Sequence, residues 1–203
     1  MNTREKILET AIDMFSGKGY NDVSVRDITR AVGIKESSLY NHFTSKQQIL
    51  DEIFEYLLQR FEGMTMPEEE AARFIEAADP QSFMEMCLMN FRMYFGDPKL
   101  IKIWRIVSIE RFRNRRANEF FTKHLIDQPL DYQAKVFGSM IRKGLIAETD
   151  PMVLAREFYS FILVIYLRYF DVAGPSGNPA DDPAIQKMIR DHIQFLMRAM
   201  SRQ

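Results

Sequence analysis

Apolar residues recur at three- and four-residue spacing along most of the chain. Ile7, Leu8, Ala11, Ile12 and Phe15 form one helical stripe, and Val25, Ile28 and Val32 form a second. No alternation of strand period runs for a useful length. The eight prolines, at 67, 80, 98, 129, 151, 175, 179 and 183, are read as lying between helices, because a proline inside one removes a donor and clashes with the preceding turn. Gly17 and Gly19 are available as left-handed stops for the first stripe, and Gly33 for the second. Asn2 with Glu5 and Ser45 with Gln48 have capping-box spacing, and Ser24 with Asp27 is a shorter relative of it.

The pattern predicts an all-α protein. Short helices fill the first part, and a longer one runs from Lys46 to Glu62. An acidic segment from Pro67 to Ala78 follows, then helices over Pro80–Phe95, Pro98 to about Phe121 with a break near Asn118, Leu130–Ile146, Met152–Asp171 and Ala184–Met200. The last two are joined by Val172–Pro183, whose Gly, Pro, Ser, Asn and Asp content is loop chemistry. The expected division is a three-helix N-terminal domain over residues 1–62 and a larger helical body over 63–203.

Chemistry concentrates between Ser24 and Phe43, in SVRDITRAVGIKESSLYNHF. A capped short helix, a glycine turn and a second short helix with Leu39 and Phe43 inward have helix-turn-helix spacing, with Ile28, Val32, Ile34 and Leu39 meeting where the helices cross. The opposite side presents Lys35, Glu36, Ser37, Ser38, Tyr40, Asn41 and His42, residue types that suit base edges and phosphates in a major groove. Lys46 opens the next helix, where an ammonium and free backbone donors favour a phosphate.

Residues 7–50 carry A-x-x-x-F at Ala11 to Phe15, G-Y at 19 and 20, S-V-R-D-I at 24–28, G-I at 33 and 34, and L-Y-N-H-F-x-S-K at 39–46. Together these resemble the N-terminal domain of the TetR family of transcriptional regulators. The resemblance implies an N-terminal DNA-binding domain, a helical C-terminal domain that binds an effector, and a homodimer through the last two helices. By position it implies that Ser24, Tyr40, His42 and Lys46 contact phosphates while Lys35 to Ser38 and Asn41 read bases, and Arg26 completes the candidate DNA-binding set. Two departures stand out. Lys35-Glu36-Ser37-Ser38 replaces the family's more usual Ser, basic residue, Gly and Thr, so base preference does not carry over, and Thr29 replaces a usual Ala at the helix crossing.

Charge narrows the DNA-binding mode. With 27 Lys plus Arg against 28 Asp plus Glu the net charge is −1, and residues 1–50 hold seven basic and six acidic residues, net +1. A polybasic mode is excluded, and binding must rest on few, well-placed phosphate contacts and on dimerisation. The hydrophobic and aromatic shares, 46% and 12%, are those of a globular protein. The single cysteine, Cys87, permits neither an internal disulfide nor a thiolate zinc site. No leader pattern opens the chain, and Phe158–Phe170, broken by Ser160 and Arg168, falls short of a membrane span, so no membrane partner and a cytoplasmic location are expected. His42, His124 and His192 have no metal-ligand spacing, and no nucleophile elbow or phosphate loop is present, so neither an enzyme, a metal nor a cofactor is expected.

The second half is rich in methionine and rings. Most such residues are ordinary core, but thioethers and flat rings also suit a cavity for an apolar ligand. Cys87, Phe91, Trp104, Glu110, Phe112, Phe137, Met140, Phe158 and Phe161 form the candidate effector-binding set. Within it Cys87 reads most simply as a small buried hydrophobe, and Glu110 as pairing with Arg105, Arg111 or Arg113, or else anchoring a polar group of the effector. Arg111, Arg113, Arg115 and Arg116 scatter around a continuous helix and read as a solvated face. Ile185, Met188, Ile189, His192, Phe195, Leu196 and Met200 recur on one face and, with Met152–Asp171, predict a four-helix dimer interface. The expected function is a ligand-responsive regulator, a repressor, acting as a homodimer on an inverted repeat of double-stranded DNA and released by a small apolar effector. The alternative is a helical small-molecule or lipid carrier that keeps the hairpin as scaffold without binding DNA.

Overall fold

The computed structural model describes residues 1–62, 67, 69, 70, 73, 80–82, 84–86, 89, 96–169 and 182–201. In chain order among them stand α1 (Thr3–Lys18), α2 (Val25–Val32), α3 (Glu36–Tyr40), α4 (Lys46–Glu62), α5 (Pro98–Glu110), α6 (Arg115–Thr122), a π-helical segment Lys123–Asp127, α7 (Gln128–Arg142), α8 (Pro151–Tyr169) and α9 (Pro183–Met200). The acidic segment Pro67–Ala78 and the helix expected over Pro80–Phe95 lie largely outside the described residues, as do Cys87 and Phe91. Among the described residues no helix is long and apolar enough to cross a membrane.

Caps decide where these helices begin. Asn2 accepts the N–H of Glu5 and the Glu5 carboxylate accepts that of Asn2, both at 2.9 Å, so two orphan donors are met at the start of α1. Ser24 and Asp27 make the same reciprocal pair before α2. Before α4 the box is displaced by one residue: Ser45 Oγ accepts from Gln48 N at 3.1 Å, while Gln48 Oε1 accepts from the Thr44 hydroxyl at 3.0 Å. Three later helices open on an Asp-Pro pair, at 97–98, 150–151 and 182–183. The proline lacks only a donor that the first turn would leave unmet, and Asp150 and Asp182 each accept the N–H two residues on at 2.8 Å.

Two expected boundaries move. The helix expected to reach Phe121 ends at Glu110 rather than near Asn118. Asn114 Oδ1 accepts the N–H groups of Arg116 and Ala117 at 3.0 and 3.2 Å, so this side chain starts a new helix and residues 111–114 form a turn. Pro129, in turn, does not separate two helices. The chain stays helical from α6 into α7, passing through the π-helical segment just before the proline. In an α-helix the Leu125 carbonyl would accept from residue 129, which has no N–H. The Tyr159 hydroxyl of α8 donates to that carbonyl at 2.5 Å instead.

The chain divides into two compact units, Met1–Gly63 with Lys99–Thr122, and Met64–Pro98 with Lys123–Gln203. In the first, Ile7, Ala11, Phe15, Ile28, Leu39, Ile49, Leu50, Ile53 and Leu57 are fully buried with Ile103, Ile106 and Val107 of α5. Helix α5 runs parallel to α1. Lys99 meets Glu9 at 2.5 Å, Lys102 meets Asp13 at 2.6 Å, and the Glu110 carboxylate meets Tyr20 N at 2.9 Å. Helix α6 lies on α4 through Arg116–Asp51 at 2.8 Å and the stacked rings of Phe54 and Phe120. The partly exposed ion pairs contribute a few tenths of a kcal/mol each, so apolar burial holds this unit together.

In the second unit Phe137, Met140 and Phe158 are buried where α7 meets α8, with the two phenyl rings edge to face at 6.1 Å. Helix α9 divides the single stripe expected of it. Ile185, Ile189, Ile193, Leu196 and Met200 are buried, whereas Phe195 is 64% exposed and Met188 and His192 are half-buried. At about 100° per residue these are two neighbouring sectors, one belonging to the chain's own core.

The Tyr159 hydroxyl stands in for the donor that Pro129 lacks, so Tyr159→Phe is expected to lower unfolding stability by about 1–3 kcal/mol, the cost of an unmet buried carbonyl. In a Pro129→Ala background the penalty should shrink, because the alanine N–H can reach the same oxygen. Urea midpoints of the four proteins in this cycle check it, and two equal penalties would refute the compensation.

Candidate nucleic-acid interface

The wedge is built by one turn. Gly33 takes φ 79° and ψ 33°, the left-handed conformation that costs a glycine little. Its N–H donates to Arg30 O at 3.3 Å, and that of Ile34 to Thr29 O at 3.0 Å, the paired bonds that close a helix and turn the chain away. Ile28, Leu39 and Phe43 are then buried between α2, α3 and their neighbours, with Val32 and Ile34 half-buried. Thr29 at the crossing is buried as well. Its hydroxyl donates to Arg26 O at 3.1 Å, so the extra polar atom is satisfied within its own helix.

With Leu39 inward, the five-residue α3 turns the rest of its side chains out. Lys35, Glu36, Ser37, Tyr40 and Asn41 are exposed, Tyr40 by 51%, and Ser38 and His42 are half-buried. Arg26 Nε lies 3.3 Å from Glu36 Oε1, which partly offsets the one anion of this face. Ser24 is more committed. Its hydroxyl donates to Asp27 Oδ2 at 2.5 Å and its N–H to the same oxygen at 2.9 Å. A phosphate at Ser24 would have to compete with that carboxylate. The Ser24 hydrogen bonds hold the Asp27 carboxyl below its ordinary value near 3.8.

Lys46 does two jobs. Its ammonium donates to Tyr20 O and Val23 O, each at 2.8 Å, and sits 4.1 Å from the centre of the Tyr20 ring. It therefore staples the α1–α2 turn to the start of α4. An ammonium has three donors, and one is left for a phosphate. Partial burial lowers the Lys46 pKa, an effect opposed by Glu110 and Asp22.

Glu110 finds a different partner from the arginines expected for it. Only 2% exposed, it accepts the Tyr20 N–H through Oε1, while buried Oε2 has no hydrogen-bond partner among the described residues. Gly19, at φ 87°, ends α1 against this carboxylate, where an added Cβ would lie 3.6 Å from Oε1. The Tyr20 hydroxyl donates to Gln47 Oε1 at 3.3 Å, and Gln47 Nε2 to Asp51 at 2.9 Å. Burial, Asp51 and Glu110 together raise the Tyr20 pKa. Tyr20 belongs to the G-Y motif at 19 and 20, but no local spacing links it or Asp51 to Glu110.

The candidate effector residues fall in both units. Trp104, Glu110 and Phe112 belong to the first, with Trp104 buried against the edge of Phe61 and Phe112 79% exposed beside the Arg111 guanidinium. Phe137, Met140, Phe158 and Phe161 belong to the second. Phe161 stacks on His192 at 4.1 Å, and burial lowers the pKa of that imidazole.

Residues 7–53 match the sequence family described as bacterial regulatory proteins, tetR family. The chain is 37% identical over 165 residues to the biofilm operon icaADBC HTH-type negative transcriptional regulator IcaR of Staphylococcus epidermidis, covering 81% of this chain and 78% of that one. With IcaR of Staphylococcus aureus strain Newman it shares 43% identity over 58 residues, 27% of this chain, and spans about a third (31%) of that relative's length. Its fold is similar to that of AibR solved with isovaleryl coenzyme A and operator DNA, with TM-score 0.66, 20% identity and coverage of 96% and 97%. It is also similar to a Saccharomonospora viridis protein solved with choline, with TM-score 0.67, 19% identity and coverage of 98% of each chain.

The Ser24 cap yields a test independent of DNA. Ser24→Ala is expected to lower stability by about 1 kcal/mol at neutral pH. A carboxyl with a depressed folded pKa contributes stability above its unfolded value near 3.8, and that contribution is lost as pH falls through the folded pKa. The variant should therefore show a shallower loss of stability on acidification, with the Asp27 carboxyl titrating closer to 3.8 by NMR. An unchanged Asp27 titration would contradict the assignment.

Proposed function

The chain belongs to the tetR family of bacterial regulatory proteins, and from that premise we propose that it is a transcriptional repressor. In this reading it acts as a homodimer on an inverted repeat and is released by a small, mainly apolar effector. The observation that carries the proposal is the outward polar face of α3, presented by a helix whose only fully buried side chain is Leu39. In this reading residues 1–62 bind DNA. Tyr40, His42, Lys46 and Ser24 meet phosphates, with Arg26 beside them, and Lys35 to Ser38 and Asn41 meet base edges. The name of IcaR as a negative regulator supports repression over activation.

Residues 63–203 take the effector-binding and dimerising role. The dimer face proposed on α8 and α9 consists of Val164, Leu167 and Phe195, all at least half exposed, with Met188 and His192 beside Phe195. A two-fold axis uses each of them twice, and each large apolar side chain contributes about 1.5–3 kcal/mol on full burial. For the effector, Phe137, Met140, Phe158 and Phe161 supply an apolar, polarisable lining. A ligand that empties the operator must prefer the non-binding arrangement by about 5.5 kcal/mol to move a population from 1:99 to 99:1. AibR, solved with both an acyl coenzyme A and operator DNA, is a precedent of similar fold.

Fluorescence anisotropy with a duplex carrying the DNA immediately upstream of its own gene tests the reading. The wild type should bind it with an affinity that falls steeply as salt rises. Tyr40→Ala should weaken binding to this duplex and to a scrambled one alike, whereas Asn41→Ala should reduce the preference between them by about 1–3 kcal/mol. Equal losses on both duplexes for both variants would refute the division of roles, and absence of salt-dependent wild-type binding would favour the carrier.

A further inference from the structure

We propose that Arg113 and Arg115, on the turn joining α5 to α6, form a second contact surface for the phosphate backbone of duplex DNA, beyond the half-site covered by Ser24–Lys46. The proposal rests on the DNA-binding reading and extends the surface that reading uses. On a continuous helix these arginines would scatter. Because α5 stops at Glu110 and α6 starts at Arg115, they gather at one corner.

That corner belongs to the helix-turn-helix unit. Glu110, one residue before it, holds the Tyr20 N–H, and the Tyr20 carbonyl is held by Lys46. Arg116, one residue after Arg115, pairs with Asp51, which lies five residues along α4 from Lys46, roughly 7.5 Å of helix axis. The arginine turn thus adjoins the end of α4 that carries the proposed phosphate contact.

Net charge points the same way. Residues 1–63 hold eight basic and ten acidic residues, net −2, a poor match for a polyanion. Residues 99–122 hold seven basic and two acidic residues, net +5, and bring the unit to +3. The positive charge of this unit therefore comes from a segment some distance along the chain from the recognition helix. Within the turn Arg111 lies over the Phe112 and Phe121 rings and Arg116 is paired with Asp51. Arg113 is exposed, and Arg115 is 92% exposed with a partner, Glu119, that is itself 60% exposed. A screened pair of that kind is worth little and yields readily to a phosphate, whose oxygens the guanidinium fork fits.

The test uses the full chain, a long duplex from upstream of its own gene, and the same duplex trimmed to the segment that the Arg113→Gln, Arg115→Gln double variant protects from cleavage. On the long duplex Arg113→Gln with Arg115→Gln, which removes two arginines from each protomer of the dimer, should lower the slope of log affinity against log salt by about 3.6, at about 0.9 per phosphate, and weaken binding at least about tenfold. On the trimmed duplex this double variant should match the wild type, and Glu119→Gln, which frees Arg115, should tighten binding to the long one only. Tyr40→Ala should weaken binding to both. Thermal melting by circular dichroism confirms that the variants are folded. An unchanged slope on the long duplex, or equal losses on both duplexes, overturns the proposal while leaving the recognition helix in place. A wild type that binds neither duplex overturns the DNA-binding reading, and this proposal with it.

Discussion

One buried carboxylate organises the first unit. Glu110 sits in an apolar surround, and an unpaired charge there would cost several kcal/mol. Its Oε1 accepts the Tyr20 N–H at 2.9 Å, and the Lys46 ammonium, drawn toward it electrostatically, holds the carbonyls of Tyr20 and Val23. The α1–α2 turn is therefore gripped from both sides, by its amide from α5 and by its carbonyls from α4. The start of α2, and with it the orientation in which the α2–α3 pair is presented, follows from where that turn is held. Glycine at position 19 belongs to the same constraint, since its positive φ lets the chain end α1 beside the carboxylate.

The grip also explains why the recognition hairpin needs so few residues. Helices of eight and five residues are far below the length at which isolated helices persist in water. They persist here because Ile28, Leu39 and Phe43 are buried, Ser24 and Asp27 cap α2, and α4 and α5 fix the turn before it. The surface left over is polar and only weakly positive, so affinity for a polyanion has to be gathered from more of the unit than the hairpin. The α5–α6 corner, with Arg111, Arg113, Arg115 and Arg116, adds positive charge to the unit.

Much of this was legible because it is local. The stripes on α1 and α2, the boxes at Asn2–Glu5 and Ser24–Asp27, the glycine turn at 33 and the extent of α4 all depend on residues within a few positions of one another. What was missed depends on distance. Nothing near Glu110 announces that its partner is a backbone amide 90 residues away, and the arginine cluster changed meaning once Asn114 proved to start a helix. Pro129 was misread for the same reason, since the group that compensates it is a hydroxyl on another helix. The stripe on α9 was correct as a period and too coarse as a surface, because one apolar sector can serve the chain's own core while its neighbour stays exposed. The Asp-Pro pairs at 150 and 182 are local signals of the same kind as the boxes at Asn2–Glu5 and Ser24–Asp27, each capping the helix it precedes.

The central claim is that the span from Ser24 to Lys46, held by this grip, is the surface that meets DNA. Hydrogen–deuterium exchange of the full chain, with and without a saturating duplex from upstream of its own gene, tests it most directly. The account predicts slower exchange on binding across Ser24–Lys46, with weaker protection at residues 111–116. Unchanged exchange across Ser24–Lys46 while the duplex is bound would contradict it.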